Sequence, residues 1–169
     1  DKKKIKFLTT AFGLKSLDFI KKNLKLDFIK IPSGEIDNLP YLKKVGSFNK
    51  KIILSTGMSN LREISNALKI LISCGTKKKN ITILQCNTEY PTPLRDTNLN
   101  VMKSLNKKFG TKVGFSDHTL GIDAAVVAAT LGAAIIEKHI TLSKSMKGPD
   151  HKASINEKEL KEMIKKIRN

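Results

Sequence analysis

A chain of 169 residues is long enough for one sizeable domain with its own core. Its apolar content of 40% is ordinary, and no apolar run reaches the roughly 20 residues of a membrane span. The net charge of +17 raises a nucleic-acid reading that the composition disfavours, because the basic residues are nearly all Lys and Arg occurs only at 62, 95 and 168. The lysines are spread along helix-like stretches such as Lys21-Lys22, Lys77-Lys78-Lys79 and Lys165-Lys166, which fits solvated helix faces. No signal peptide is visible, and the first residue is Asp1 rather than Met, so a fragment or trimmed product is expected. Cys74 and Cys86 lack spaced partners and read as reduced thiols of a cytoplasmic protein.

Short apolar runs alternate with longer amphipathic stretches. Residues 5–9 are the first strand candidate, followed by a helix over Leu14–Asn23. Residues 28–32 form the next strand. The stretch after Ile36 is less regular, because Pro40 interrupts it. A strand over 52–55 leads to a helix over Leu61–Ser73, with Leu61, Ile64, Leu68, Leu71 and Ile72 on one face. Asn60 caps that helix with Glu63 at the capping-box position. A strand over 81–86 precedes a helix over 99–107, and a strand over 113–116 precedes an Ala-rich helix over 122–131. The last strand covers 134–139. A final helix over 156–167 repeats the Asn-Glu cap with Asn156 and Glu159, and buries Leu160, Met163, Ile164 and Ile167.

Repeated β-α alternation predicts a parallel sheet, either a barrel or a doubly wound sheet. No G-x-G-x-x-G follows a strand and no P-loop occurs, which disfavours a nucleotide-binding sheet. The strand ends favour the barrel, since they run into Thr9-Thr10, Pro32-Ser33-Gly34-Glu35, Ser55-Thr56-Gly57, Cys86-Asn87-Thr88-Glu89-Tyr90, Ser116-Asp117-His118 and Glu137-Lys138-His139. An active site built on β-to-α loops needs such polar ends.

All three histidines lie between Val113 and His151, each beside a carboxylate. Strand alternation puts Ser116 and His118 on one face, and Glu137 and His139 on one face. On adjacent strands His118 and His139 converge, an arrangement that suits a divalent metal with an open coordination position. Thr10, Ser33, Ser55, Thr56 and Ser116 can form a ring of hydroxyls that holds a small anion with Lys30. Glu35 and Glu137 are candidate acids or bases, or partners of a sugar or metal ligand. Asp150 and His151 follow a Gly-Pro turn on a loop that can fold over the mouth. Tyr90 can pack on substrate.

The stretches KIPSGEI (30–36), IILSTGM (52–58), EYPTP (89–93), GFSDHTLG (114–121), GAAIIEKHITL (132–142) and GPDHKAS (148–154) resemble the sialic acid synthases, in order and over nearly the whole chain. That family condenses phosphoenolpyruvate with an N-acetylated hexosamine and releases phosphate by C–O cleavage. GPDHKAS and IPSGEI-x-NLPYLKK look most like the N,N'-diacetyllegionaminate synthases, with N-acetylneuraminate synthases, which use N-acetylmannosamine, as the alternative. The resemblance implies a (β/α)8 barrel of which residues 1–169 supply the third to eighth strands. The first two strands and the C-terminal antifreeze-like domain are then absent, the parent is a cytoplasmic homodimer, and the fragment alone is inactive. It implies Mn or Mg on His118 and His139. It implies phosphoenolpyruvate contacts from Thr10, Lys30, Ser33, Ser55, Thr88, Tyr90 and Ser116. It places Glu35 near the reacting carbons beside the catalytic His118 and His139, and Asp150, with Glu137, toward the sugar. Gln85 stands where many relatives carry His. Two competing readings remain. One is a Schiff-base aldolase using Lys30 or Lys138, and the other is a basic nucleic-acid-binding module.

Overall fold

A computed structural model describes residues 5–169. Its elements run α1 (Leu14–Asn23), β1 (Phe28–Ile31), α2 (Leu39–Gly46), β2 (Lys51–Ser55), α3 (Leu61–Ser73), β3 (Ile81–Cys86), α4 (Asn100–Phe109), β4 (Lys112–Asp117), α5 (Asp123–Thr130), β5 (Ile136–Lys138) and α6 (Glu157–Arg168). Short 3-10 turns occupy Ser33–Glu35, Lys78–Asn80 and Leu94–Asp96. Strand order follows chain order, β1-β2-β3-β4-β5. The chain divides into two compact units, Asp1–Thr82 and Ile83–Asn169.

In the first unit β1 and β2 pair in parallel, with Lys30 opposite Ile53 and Ile31 opposite Leu54. The consecutive β1 residues Ile29, Lys30 and Ile31 are all buried, as a strand covered on both faces requires. The expected strand over 5–9 does not form. Its Ile5 and Phe7 are 72% and 68% exposed, so the burial that holds a parallel strand is missing there. The next residue, Thr10, bridges to Lys30 in parallel.

Pro40 does not interrupt a helix, as the sequence suggested, but starts one. It lies in the first turn of α2, where a missing N–H costs nothing. Asn38 caps that turn by accepting the Tyr41 amide proton at 3.2 Å. Gly46 ends α2 directly against α3, where a Cβ would lie 2.7 Å from the Cys74 Cβ and 3.0 Å from the Leu71 carbonyl oxygen. The α3 capping box is present, with the Asn60 side chain accepting from Arg62 and Glu63 while Glu63 accepts from the Asn60 amide. α3 buries Ile64, Ala67, Leu68 and Leu71, whereas Leu61 and Ile72 flank the buried stripe and are largely exposed.

In the second unit β4 and β5 pair in parallel, placing Ser116 opposite Glu137 and Asp117 opposite Lys138. β5 is shorter than the expected run over 134–139, yet Ala134 still donates to the Val113 carbonyl at 2.8 Å and Phe115 to that of Ile135 at 2.9 Å. Gly114 permits this approach, because a Cβ there would collide with the Ile135 carbonyl and the Leu84 side chain. Ile122 and Ala125 pack with Ile155 and Met163, and Ile136, Leu160 and Ile167 cover that cluster. Ile164, expected inside, is 38% exposed at its margin. The α6 capping box of Asn156 and Glu159 forms as the sequence predicts.

Candidate functional site

In the second unit the alternation of β4 and β5 brings the expected residues together. The rings of His118 and His139 are 5.4 Å apart, edge to face. Tyr90 stacks on His118 at 4.0 Å with a 30° tilt, and meets His139 edge-on at 5.5 Å. Ser116 donates to Glu137 Oε1 at 2.6 Å, and its Oγ lies 3.4 Å from His118 Nε2. The Asp150 carboxylate reaches to 3.6 Å of His139 Nδ1. His151 does not join this group, since its Nδ1 bonds to Thr141 Oγ1 at 2.8 Å. Thr88 is exposed on the loop after β3.

The acids directly preceding His118 and His151 in sequence therefore turn to other partners in space. Asp117 points to the opposite face of β4 and pairs with Lys138 at 2.8 Å. Asp150 faces His139 rather than His151. The residue that fixes the His118 ring is Asn87, whose backbone carbonyl lies 2.6 Å from His118 Nδ1. Sequence reasoning passed over this role, because a backbone carbonyl carries no residue signature. Asn87 Oδ1 is buried without a hydrogen-bond partner, while its Nδ2 donates to the Asp96 carbonyl.

Burial pushes the His118 imidazole below its ordinary pKa of 6.5, opposed by the Asn87 carbonyl. A neutral ring whose Nδ1–H donates to the Asn87 carbonyl carries its lone pair on Nε2, the nitrogen 3.4 Å from Ser116 Oγ. That is the tautomer and support of a metal-bound histidine. The pair thus fits a divalent ion. Among the described residues no group of three or more His, Cys, Asp or Glu is placed to hold one, so water or substrate oxygens would complete the coordination.

In the first unit Lys30 and Ser55 share one face of the β1–β2 pair, and Lys30 Nζ donates to Ser55 Oγ at 2.8 Å. Both side chains are buried. Thr10 bridges to Lys30 through its backbone. Ser33 and Glu35 lie in the 3-10 turn after β1, where Glu35 Oε2 accepts from Asn38 Nδ2 at 2.6 Å. A buried ammonium beside hydroxyls at strand ends is suited to hold a small anion. The Lys138 side chain, by contrast, donates to Asp117 and to the Thr119 carbonyl at 2.6 Å, on the face of β5 opposite the histidines.

Parallel strands joined by helices define an α/β protein, and paired imidazoles, hydroxyls and acids stand at the strand ends. The NeuB family model matches residues 1–169, and the chain belongs to that family. It is 56% identical over 164 residues to the N,N'-diacetyllegionaminic acid synthase of Campylobacter jejuni, covering 97% of the chain and 49% of that protein. The crystal structure of the spore coat polysaccharide biosynthesis protein SpsE of Bacillus subtilis superposes with a TM-score of 0.93 at 36% identity, over 99% of the chain and 46% of that structure. The N-acetylneuraminic acid synthetase of Leptospira borgpetersenii, solved with citrate, superposes with a TM-score of 0.92 at 31% identity, over 99% of the chain and 57% of that structure. The chain spans about half the length of the curated relatives it matches. No helix among the described residues is long and apolar enough to cross a membrane.

Proposed function

We propose that this chain carries the catalytic strands of a cytoplasmic synthase that condenses phosphoenolpyruvate with an N-acetylated mannosamine-type sugar and releases phosphate. The strands are read as part of a (β/α)8 barrel, with the Thr10 bridge and β1–β5 in the places of its third to eighth strands. The observation that carries the reading is the convergence of His118, His139, Tyr90 and the Ser116–Glu137 pair in a member of the NeuB family. The 56% identity to an N,N'-diacetyllegionaminic acid synthase favours 2,4-diacetamido-2,4,6-trideoxymannose as the acceptor over N-acetylmannosamine. The active assembly is read as a homodimer.

His118 and His139 would hold Mn or Mg, which supplies Lewis-acid polarisation of the acceptor aldehyde. Lys30, Ser55, Thr10 and Ser33 are assigned to the anionic phosphoenolpyruvate, with Ser116, Thr88 and Tyr90 completing its contacts. Their work is positioning and charge neutralisation. The methylene carbon of phosphoenolpyruvate bonds to the aldehyde carbon, water adds at the enol carbon, and the C–O bond to phosphate breaks. Glu35 is assigned to the reacting carbons, and Asp150 with Glu137 to the sugar hydroxyls.

Phosphate release by the full-length protein, measured with the two acceptors in parallel, tests this assignment. The expected result is turnover with the diacetamido sugar that stops on chelation and returns with Mn or Mg. His118→Ala should remove it. Turnover unaffected by a chelator would end the metal assignment, and a preference for N-acetylmannosamine would move the specificity to the alternative.

A further inference from the structure

β4 and β5 each present a second face, opposite the one that carries the histidines. There Asp117 and Lys138 stand directly across from one another in register. Their side chains are 0% and 3% exposed, and the ion pair is 2.8 Å long. Both partners also grip the same downstream residue. Asp117 Oδ1 accepts from the Thr119 amide at 2.8 Å, and Lys138 Nζ donates to the Thr119 carbonyl at 2.6 Å. From the other side Thr92 donates its amide to the His118 carbonyl at 2.9 Å and bridges to Thr119. The backbone on both sides of His118 is therefore pinned, and the pins join its strand to the one that carries His139.

An isolated ion pair of this kind is a poor source of stability. Removing both charges from water costs nearly as much as their attraction returns, and apolar residues of similar size commonly replace such pairs without loss. A pair whose hydrogen bonds all converge on the residue after a candidate ligand has a different use. We infer that Asp117 and Lys138 are positioning residues, which set the spacing of the His118 and His139 imidazoles for a divalent cation. The inference rests on the metal reading given above. It adds the residues on the far face of the sheet that make the histidine pair a preformed site.

The test separates fold from site with Mn2+ alone as the probe, titrated into the full-length protein without substrates and followed by the loss of the free-ion electron paramagnetic resonance signal. The double variant Asp117→Leu/Lys138→Met removes both charges together with the two contacts to the buried Thr119 backbone, so it should still fold, with a lowered thermal midpoint, while its Mn2+ dissociation constant rises about 10- to 100-fold, the usual cost of removing a group that supports a metal ligand. Unchanged Mn2+ affinity in the folded double variant overturns the inference and leaves the metal reading intact. No Mn2+ binding by the unaltered protein, or unchanged binding by His118→Ala, overturns both. If the double variant does not fold, Asp117→Asn decides, because it is isosteric and still accepts from Thr119. A tenfold weaker Mn2+ affinity in that variant supports the inference, and an unchanged one refutes it.

Discussion

Tyr41 and Tyr90 are the only phenols of the chain, and there is no Trp to mask them. Tyr41 is fully buried and donates its hydroxyl proton to the Ala11 carbonyl at 2.8 Å. Burial, reinforced by the nearby Glu35 charge, pushes its pKa up to about 12. Tyr90 is also raised, mainly by burial against the histidines, although it remains 44% exposed. Ultraviolet titration should therefore show both phenols ionising above their usual range, with Tyr41 last, near pH 12. The sign for stability follows from linkage. An unfolded chain loses the Tyr41 proton near pH 10 while the folded chain keeps it, so Tyr41 lowers stability as pH rises from about 10 to about 12. A first ionisation step that belongs to Tyr41, identified with Tyr90→Phe, would contradict its buried placement.

At the scale of elements, the signals that sequence reads well are local. Both Asn–Glu capping boxes form, and α1 and α3 keep their expected bounds, because a cap and an apolar stripe act within a few residues. Pro40 was legible only in part. The residue that breaks a helix interior is welcome in its first turn, and only the Asn38 cap distinguishes the two. Residues 5–9 have strand-like apolar residues, but a strand also needs a covered face, and no local pattern reports that. Gly114 is the position where element and site meet, since its missing side chain lets β5 approach β4. Gly114→Ala should cost about 1–3 kcal/mol or more in denaturant unfolding, because the obstacle is backbone and cannot turn aside. Asn60→Ala removes one cap on an exposed helix end and should cost about 1 kcal/mol. An Asn60→Ala loss as large as that of Gly114→Ala would show that the strand approach is not under packing constraint.

For the molecule as a whole, alternation along two adjacent strands made His118, His139, Ser116 and Glu137 legible together, because parallel register preserves facing. The partners that orient them were not legible, since Asn87 acts through its carbonyl and Asp117 through the opposite face. The net charge of +17 is the other whole-chain property, and much of its origin is local. Lysines fill the last turns of α1, α2, α4 and α6, where they meet the negative end of each helix. Others are tied in ion pairs, such as Lys161–Glu157 and Lys144–Glu159. The surplus still creates a positive field, which on the proposed function would draw anionic phosphoenolpyruvate before any contact forms. Screening shortens the reach of that field from about 30 Å at 0.01 M salt to about 8 Å at 0.15 M. With phosphoenolpyruvate as the varied substrate, kcat/KM of the full-length protein should therefore fall several-fold across that range of KCl. The turnover number should hold, because Lys30 and Ser55 are buried and their 2.8 Å contact is little screened. A kcat that falls in step with kcat/KM would place the salt effect in the site itself. A kcat/KM indifferent to salt would mean that the charge serves the helices alone.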